Sequence, residues 1–279
     1  MSAINASSSP LAFVAAGRAF DALANTYDQK FTHSLIGRAQ RDAVWKSLRL
    51  VFKPGDRILE LNCGTGEDAF FLSKQGVSVV ACDASEQMIH AAQQRLTDQH
   101  QDTTVAFVHL ATEQLGKLEV DYSFDGVFSN FSGLNCIADL ESTAEALAHR
   151  VRPGGRLLLC LSTRFCILET LHFMFQGRWR QAFRRWAGRT EASIGGLAFA
   201  VQYPTIRQLR KLFSPHFTLR SYSGIGVALP PSYLEQWALN HPQMFQVLRN
   251  LEPILSAVPI LRVTGDHVLL YLERSPHEA

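Results

Sequence analysis

The stretch RILELNCGTGEDAFFL, residues 57–72, constrains the fold of this chain more than any other. An apolar run ends in a carboxylate, passes through Gly64 and Gly66, and continues as a helical pattern. Glycine is required at such a turn because a Cβ would block either the approach of a ligand to the backbone or the positive φ. Since the N–H groups of the following helix point at the turn, the segment predicts a ligand-binding strand–turn–helix.

Alternating strand-like and helix-like patterns extend this unit from about residue 57 to residue 162, which indicates a parallel α/β sheet. The predicted strands of this region are 57–61, 77–83, 104–110, 124–130 and 156–162, and the clearest helices are 85–96 and 140–151. Further along the chain, the patterns predict a helix at 203–216 and strands at 217–229 and 265–274. We therefore expect one large α/β domain with appendages.

The predicted organisation is an interrupted core with a cap around it. Residues 1–10 form a loose tail, 11–52 the N-terminal helices of the cap, and 53–163 the ligand-binding α/β core. Residues 164–202 are a basic aromatic cap insertion, and 203–229 supply a core helix and the sixth strand. A second cap insertion spans 230–264, and 265–279 contain the last strand and a tail.

Cysteine usage and hydropathy exclude several classes of protein. The five cysteines form no C-x-x-C pair, and no Cys/His spacing suits zinc or an iron–sulfur cluster. We therefore expect reduced thiols, no metal and a cytoplasmic location. No apolar run approaches the roughly 18–20 residues that span a bilayer, and no positive charge precedes the apolar stretch near the N-terminus. Neither a transmembrane segment nor a secretory signal is predicted.

Basic residues are concentrated in one part of the chain. Between Arg164 and Arg220 there are ten Arg and Lys residues, opposed only by Glu169 and Glu191, in a chain whose net charge is +2. The segment Arg178–Arg189 mixes arginines with aromatic residues. Four interpretations are compatible with it: solvated arginines on a lid helix, a pocket for an apolar substrate with an acidic group, an acyl-carrier surface, and an anionic membrane surface. Nucleic acid is disfavoured because the rest of the chain is acidic.

Two carboxylates near the glycine turn separate the candidate ligands. Both a nicotinamide dinucleotide and S-adenosylmethionine suit the G-x-G pattern. Glu60 ends the first strand, where a carboxylate would repel a pyrophosphate but bind an α-amino group. Asp83 ends the second strand, where it can accept hydrogen bonds from both ribose hydroxyls. The pattern therefore favours S-adenosylmethionine as the cofactor.

These motifs resemble those of the class I S-adenosylmethionine-dependent methyltransferases, and more narrowly the branch that includes quinone-biosynthesis and malonyl-carrier-protein methyltransferases. FDALANTYDQKF is similar to the N-terminal helix of that branch, ILELNCGTGEDAFFL to its glycine motif, and VVACDASEQMI to its ribose motif. FDGVFSNFSGLNCI and LAHRVRPGGRLLL are similar to its fourth- and fifth-strand motifs. The resemblance covers residues 20–162. It implies a Rossmann-like α/β fold whose seven-stranded sheet has the order 3-2-1-4-5-7-6, with an antiparallel last strand and helical cap insertions.

The same resemblance implies which residues bind the cofactor. Glu60 would hold the amino group, Asp83 the ribose, and Met88 would pack near the adenine, while Asn130 and Phe131 would face the reactive end. The full expected set is Tyr27, Glu60, Asn62, Gly64, Gly66, Asp83, Ala84, Met88, Thr112, Asn130 and Phe131.

Two positions depart from the family pattern. Asn62 replaces the first glycine of the turn, and asparagine tolerates positive φ better than most residues. Ala111 stands where the family usually has an adenine-binding Asp, so Thr112 or a backbone group is expected to serve instead.

The resemblance implies methyl transfer to a small or lipid-like, rather apolar substrate, which could be anionic. The alternatives are an acyl-carrier-bound or RNA substrate, or a homologue that binds the cofactor without catalysis. A base is needed only if the nucleophile must lose a proton. His172, Tyr203 and His267, with Glu169, are candidates for that role, and the sequence does not choose among them. The atom that receives the methyl group and the oligomeric state stay open.

Overall fold

The computed structural model describes residues 11–98 and 104–276, so the predicted tail at 1–10 lies outside the described residues. A seven-stranded sheet forms the core, in the order β3-β2-β1-β4-β5-β9-β8. The described strands are β1 (Arg57–Leu61), β2 (Ser78–Asp83), β3 (Val105–His109), β4 (Phe124–Ser129), β5 (Val151–Ser162), β6 (Arg189–Ile194), β7 (Leu197–Gln202), β8 (Phe217–Ile225) and β9 (His267–Arg274).

The strand pairing confirms the predicted sheet. Strands β1 to β5 pair in parallel, whereas β9 runs antiparallel to both β5 and β8. Strands β6 and β7 form a separate two-stranded sheet, so β8 and β9 are the sixth and seventh strands of the core. The predicted order and the antiparallel last strand are therefore both correct.

Helices cover both faces of the sheet. The described helices are α1 (Leu11–Asp21), α2 (Ala24–Tyr27), α3 (Leu35–Val51), α4 (Glu67–Ser73), α5 (Glu86–Asp98), α6 (Leu140–Arg150), α7 (Ile167–Phe175), α8 (Trp179–Ala182), α9 (Ile206–Phe213), α10 (Glu235–Asn240) and α11 (Pro242–Leu255). One face packs against α3, α4 and α5 through Val44, Phe71 and Ile89. The other packs against α6 and α9 through Leu147 and Leu209.

Side-chain caps define the N-termini of several helices. Ser34 Oγ accepts a hydrogen bond from Gly37 N at 3.0 Å at the start of α3. Asp139 accepts one from Ser142 N at 3.0 Å at the start of α6. Thr205 and Gln208 form a reciprocal capping box at α9, which fixes the start of this helix within the predicted range 203–216.

The second half of the basic aromatic segment is a β-hairpin and not a helix. Strands β6 and β7 pair with Ile194 opposite Leu197, so that Gly195 and Gly196 form a two-residue turn. Both glycines have positive φ, 58° and 81°, as such a hairpin turn requires. Only the first half of the segment, which contains α7 and α8, has the helical structure that its aromatic pattern suggests.

Helix α1 and the hairpin pack against each other next to the end of β2. The rings of Phe20 in α1 and Phe199 in β7 lie 5.8 Å apart. A Cβ on Gly17 would lie 2.4 Å from the carbonyl oxygen of Ala84, so α1 sits directly on the turn after β2. Within residues 11–98 and 104–276, no helix has the length and apolar character needed to cross a membrane.

Candidate active site

Three left-handed residues shape the turn after β1. The φ values are 55° at Asn62, 55° at Gly64 and 78° at Gly66. A Cβ on Gly66 would lie 2.6 Å from the ring of Phe107, whereas a Cβ on Gly64 would meet only the ring of Tyr27, at 3.9 Å. Gly66 is therefore needed for the packing of α4 against β3, and Gly64 keeps the space above the turn open. Asn62 adopts the positive φ expected of it.

Asp83 ends β2 with its carboxylate beside the glycine turn. Its Oδ2 accepts a hydrogen bond from Gly64 N at 2.8 Å, and its Oδ1 accepts one from Ser85 N at 2.8 Å. Burial raises the pKa of Asp83, and the two backbone N–H groups oppose that rise. Because a carboxylate oxygen has two lone pairs, Asp83 can still accept hydrogen bonds from hydroxyl groups of a ligand.

Glu60 lies deeper, at the end of β1, on the sheet face that packs against α3, α4 and α5. Its side chain is 1% exposed, and its Oε2 has no hydrogen-bond partner among the described residues. Burial raises the pKa of Glu60 well above its ordinary value, and the carboxylates of Asp68 and Asp83 add to the rise while Arg41 opposes it. A buried carboxylate oxygen without a partner is costly, and a ligand ammonium group would supply the missing donor.

A cavity of about 240 Å³ opens above the glycine turn. Of the eleven expected cofactor-binding residues, the eight that line it are Tyr27, Asn62, Gly64, Asp83, Ala84, Met88, Asn130 and Phe131. Glu60, Gly66 and Thr112 are not among the residues that line it. The Thr112 hydroxyl donates a hydrogen bond to Asn62 Oδ1 at 3.4 Å, so Thr112 supports the turn after β1.

Several wall residues were not anticipated from the sequence. Glu113 lines the cavity, and burial raises the pKa of its carboxyl group. Its position two residues after Ala111 was an available signal for an acidic group near the expected adenine site. Phe20 and Phe199, whose rings contact each other, also line the cavity. The alternation around Gly195–Gly196 could have revealed the hairpin that carries Phe199.

A second cavity, of about 390 Å³, adjoins the first. Tyr27 and Phe131 line both cavities and so form the wall between them. The ring of Phe31 stands edge-on to Phe131, with centroids 4.9 Å apart. Burial raises the pKa of Tyr27 to about 12, which keeps its phenol protonated. The remaining residues that line this second cavity are Leu23, Lys30, Ser162, Arg184, Arg185, Pro231, Ser232, Tyr233, Asp266 and His267.

The candidate proton acceptors occupy different environments. His267 lines the second cavity and stands edge-on to Phe131, with ring centroids 5.4 Å apart. Neither His172 nor Tyr203 lines either cavity. His172 pairs with the side chain of Gln176, Nε2 to Nε2 at 3.0 Å, and Tyr203 is buried. Of the three, only His267 therefore lies next to the expected reactive end.

Glu169 is committed to two arginines of the basic segment. Its Oε1 accepts hydrogen bonds from Arg184 Nε at 2.9 Å and Arg185 Nε at 3.1 Å. Its Oε2 accepts one from Arg185 Nη2 at 2.7 Å, and the same nitrogen donates to Asp266 Oδ1 at 2.8 Å. Part of the basic charge of Arg178–Arg189 is thus neutralised inside the protein, while Arg178, Arg180 and Arg189 are exposed.

Comparison with known proteins agrees with this architecture. The family model described as a methyltransferase domain matches residues 59–157. A demethylmenaquinone methyltransferase from Clavibacter sepedonicus is 33% identical over 141 residues, which are 50% of this chain and 55% of that protein. The chain thus spans about half the length of the curated relatives it matches.

Solved structures share the fold at lower identity. A protein from Listeria monocytogenes, described as a candidate S-adenosylmethionine-dependent methyltransferase, has a TM-score of 0.60 at 13% identity, covering 86% of this chain and 99% of that one. The DhpI–SAH complex has a TM-score of 0.57 at 17% identity, covering 95% of this chain and 98% of that one.

The residues around the first cavity fit S-adenosylmethionine. The unpartnered oxygen of Glu60 suits the ammonium group, and the carboxylate of Asp83 suits the ribose hydroxyls. The open space above Gly64 leaves room for the methionyl group. The predicted fold and cofactor are confirmed: residues 59–157 match a methyltransferase domain, and the sheet has the strand order and antiparallel last strand of the class I S-adenosylmethionine-dependent methyltransferase fold.

Proposed function

We propose that this protein transfers the methyl group of S-adenosylmethionine to a small, largely apolar acceptor of the demethylated quinol type. The observation that carries the proposal is the pair of cavities with a shared wall at Tyr27 and Phe131. The first has the groups that an amino acid and a ribose require. The second is lined by several aromatic rings, which suit an acceptor that contains a ring system.

The relatives named demethylmenaquinone methyltransferase support a quinol as the acceptor class. Their identity of 33–34% covers only about half of this chain, so the acceptor is inferred from the cavity as much as from the relatives. Phe31, Phe131 and Tyr233 supply ring surfaces for stacking, and Lys30 and Arg184 supply cations for an oxygen anion.

When bound, S-adenosylmethionine supplies a methyl group on a positively charged sulfur. Glu60 would hold its ammonium group, and Asp83 its ribose. Tyr27 and Phe131 would then align the acceptor and keep water from the reacting atoms, which carries most of the barrier reduction in such a displacement.

The cofactor half of the proposal is tested by thermal shift. We expect S-adenosylhomocysteine to raise the melting temperature and NADH to leave it unchanged. Stabilisation by NADH alone would refute the cofactor assignment, and a response to both would show that the turn does not discriminate. Binding of the homocysteine form with no turnover of any acceptor would instead favour the alternative of a non-catalytic homologue.

The acceptor half is tested with labelled S-adenosylmethionine and a reduced 1,4-naphthoquinol that carries hydrogen at the 2-position. We expect transfer of label to the quinol. Replacement of Phe131 by Ala should lower kcat/KM for the quinol by about tenfold or more, because it removes stacking surface and opens the wall. Leu50→Ala, at a residue that is 75% exposed, is the control and should change nothing. Label found only on RNA or on an acyl carrier would select those alternatives instead.

We further propose that the outer face of α7 and α8 meets an anionic lipid surface, where a lipid-like acceptor would reside. Phe175 is 88% exposed and Trp179 57% exposed, and the exposed Arg178 and Arg180 lie beside them. Exposed tryptophan next to arginine suits the headgroup region of a bilayer. The cytoplasmic location predicted from the sequence also stays a proposal.

Vesicle sedimentation tests this surface. We expect binding to phosphatidylglycerol-containing vesicles that weakens with salt, and none to phosphatidylcholine alone. Charge reversal of Arg178 and Arg180 should lower partitioning by about tenfold or more, at ~1 kcal/mol per basic residue. Reversal of Arg207 and Arg210, exposed on α9, is the matched control. Equal loss in both variants, or binding of a purified acyl carrier without vesicle binding, would refute the lipid surface.

A further inference from the structure

His267 lies where a proton acceptor for the methyl acceptor would be needed. It begins β9, which pairs antiparallel with β5, so that His267 stands opposite Ser162 at the end of β5. Its ring is 7% exposed and lines the second cavity, edge-on to Phe131. Phe131 belongs to the wall shared with the first cavity, so the imidazole lies on the acceptor side of that wall.

A carboxylate stands behind the imidazole. Nδ1 of His267 lies 3.6 Å from Oδ2 of Asp266, within ion-pair reach but beyond a hydrogen bond. Asp266 is itself held in place, since its Oδ1 accepts a hydrogen bond from Arg185 Nη2 at 2.8 Å and its Oδ2 accepts one from Gln40 Nε2 at 3.3 Å. Arg185 is in turn fixed by Glu169. The carboxylate therefore cannot turn away from the histidine without breaking a buried network.

The electrostatics favour a neutral imidazole before reaction. Burial lowers the pKa of His267, an effect that Arg185 strengthens and Asp266 opposes. Burial alone would raise the pKa of Asp266, but His267 and Arg185 bring it below the ordinary value. The other charged or titratable groups that line this cavity are Tyr27, Lys30, Arg184 and Tyr233.

We propose that Nε2 of His267 accepts a proton from the methyl acceptor, with Asp266 as its positioning residue. This proposal rests on the proposed function, because it needs an acceptor with an ionisable hydroxyl in the second cavity. The O–H bond of the acceptor breaks, its electron pair stays on the acceptor, and the proton binds to Nε2. The ring carbon at the 2-position then uses an electron pair of the resulting quinolate to bond the methyl carbon, and the pair of the broken S–C bond stays on sulfur. The C–H bond at that carbon breaks afterwards: its electron pair restores the aromatic quinolate, and its proton passes through solvent to the quinolate oxygen. The imidazolium, stabilised by Asp266, returns its proton to solvent.

The test compares pH profiles of kcat/KM for the reduced naphthoquinol. In the wild type we expect kcat/KM to fall on the acid side with an apparent pKa below 6.5, the ordinary value for histidine. His267→Gln should lower kcat/KM by about 10²–10⁴-fold and remove that acid limb, while the Kd for S-adenosylhomocysteine stays unchanged. His172→Gln is the matched control, a half-buried histidine of the cap outside both cavities, and should stay within about twofold.

A second acceptor separates proton removal from a merely structural role. With a ring-chlorinated quinol whose hydroxyl is already ionised at the assay pH, the loss in His267→Gln should shrink to less than about tenfold. An equal loss with both quinols, or a variant within about threefold of the wild type, would overturn the assignment while leaving the proposed function intact.

Failure of the proposed function has a different signature. If the wild type methylates neither quinol, the acceptor class is wrong, and the histidine is then judged by its NMR titration in the protein with S-adenosylhomocysteine. An imidazole pKa below 6.5 that falls further in Asp266→Asn would support the neutral, carboxylate-coupled histidine. An imidazole still protonated above pH 7 would overturn it.

Discussion

Replacing Glu60 by Gln should have opposite effects on cofactor binding and on the stability of the free protein. With cofactor, the ammonium group loses a charge-assisted hydrogen bond of about 1.5–3 kcal/mol, which corresponds to roughly 10- to 150-fold weaker binding of S-adenosylhomocysteine. Without cofactor, the variant no longer carries a buried carboxylate whose Oε2 has no partner in the described structure, so its melting temperature should rise.

The pH dependence of protein stability gives the sign of the effect of Glu60→Gln in the absence of cofactor. The folded-state pKa of Glu60 lies well above its ordinary value of 4.5 because of burial, so the folded state favours the protonated form. Its contribution to stability is therefore present below about pH 4.5 and is lost as the pH rises towards the folded pKa. Wild type without cofactor should lose stability over that window, and Glu60→Gln should not show that loss.

Calorimetry and thermal unfolding at several pH values measure both effects. Glu252→Gln is the control, because that buried carboxylate accepts four backbone N–H bonds, from the residues at 226 to 229. Its replacement should destabilise the protein and leave the affinity for S-adenosylhomocysteine unchanged. Binding by Glu60→Gln within threefold of the wild type, together with a lower melting temperature in the absence of cofactor, would refute the role of Glu60.

Two further substitutions test the residues that support the glycine turn. Gly66→Ala should lower the free energy of unfolding by about 2–5 kcal/mol, because it combines a strained positive φ with overlap of the Phe107 ring. Gly64→Ala should have the strained φ alone, so equal denaturant midpoints for the two variants would contradict the packing argument. Asp68→Asn should lower the free energy of unfolding by about 3–5 kcal/mol, because the buried guanidinium of Arg41, which lies 2.5 Å from the Asp68 carboxylate, loses its counter-ion. A decrease below about 1 kcal/mol in urea unfolding would show that Arg41 finds another partner.

The seven-stranded core follows from local sequence patterns, whereas the hairpin of β6 and β7 does not. Each of the strands β1 to β5 is an apolar run with a helical pattern or a Pro/Gly breaker close to it in the sequence. The spacing of apolar residues and the position of the breakers therefore suffice to predict these strands. The segment at 189–202 has its own signal, alternation around Gly195–Gly196, but the aromatic helical pattern before it dominates the prediction. The pairing of β6 with β7 depends on that turn, and its place beside α1 depends on contacts between distant parts of the chain.

The residues of the candidate site are likewise of two kinds: some can be predicted from local patterns, and others are placed by contacts between distant parts of the chain. Glu60, Gly64 and Asp83 are predictable because parallel strands end at one edge of a sheet, which fixes their proximity. Phe199 and His267 are brought there by the hairpin and by the antiparallel last strand. No local pattern states that position 267 comes to face Phe131, since their proximity results from the pairing of β9 with β5.

The lining of the second cavity limits how far the family match can predict the methyl acceptor. Among its lining residues, only Phe131 falls within 59–157, the part matched by the family model. On the proposed function, the part matched by the family model would bind the methyl donor, whereas most residues that would contact the acceptor lie outside that part. Proteins that share this core need not share a recipient, and exchanging the cap segments between two of them should transfer preference without disturbing the donor.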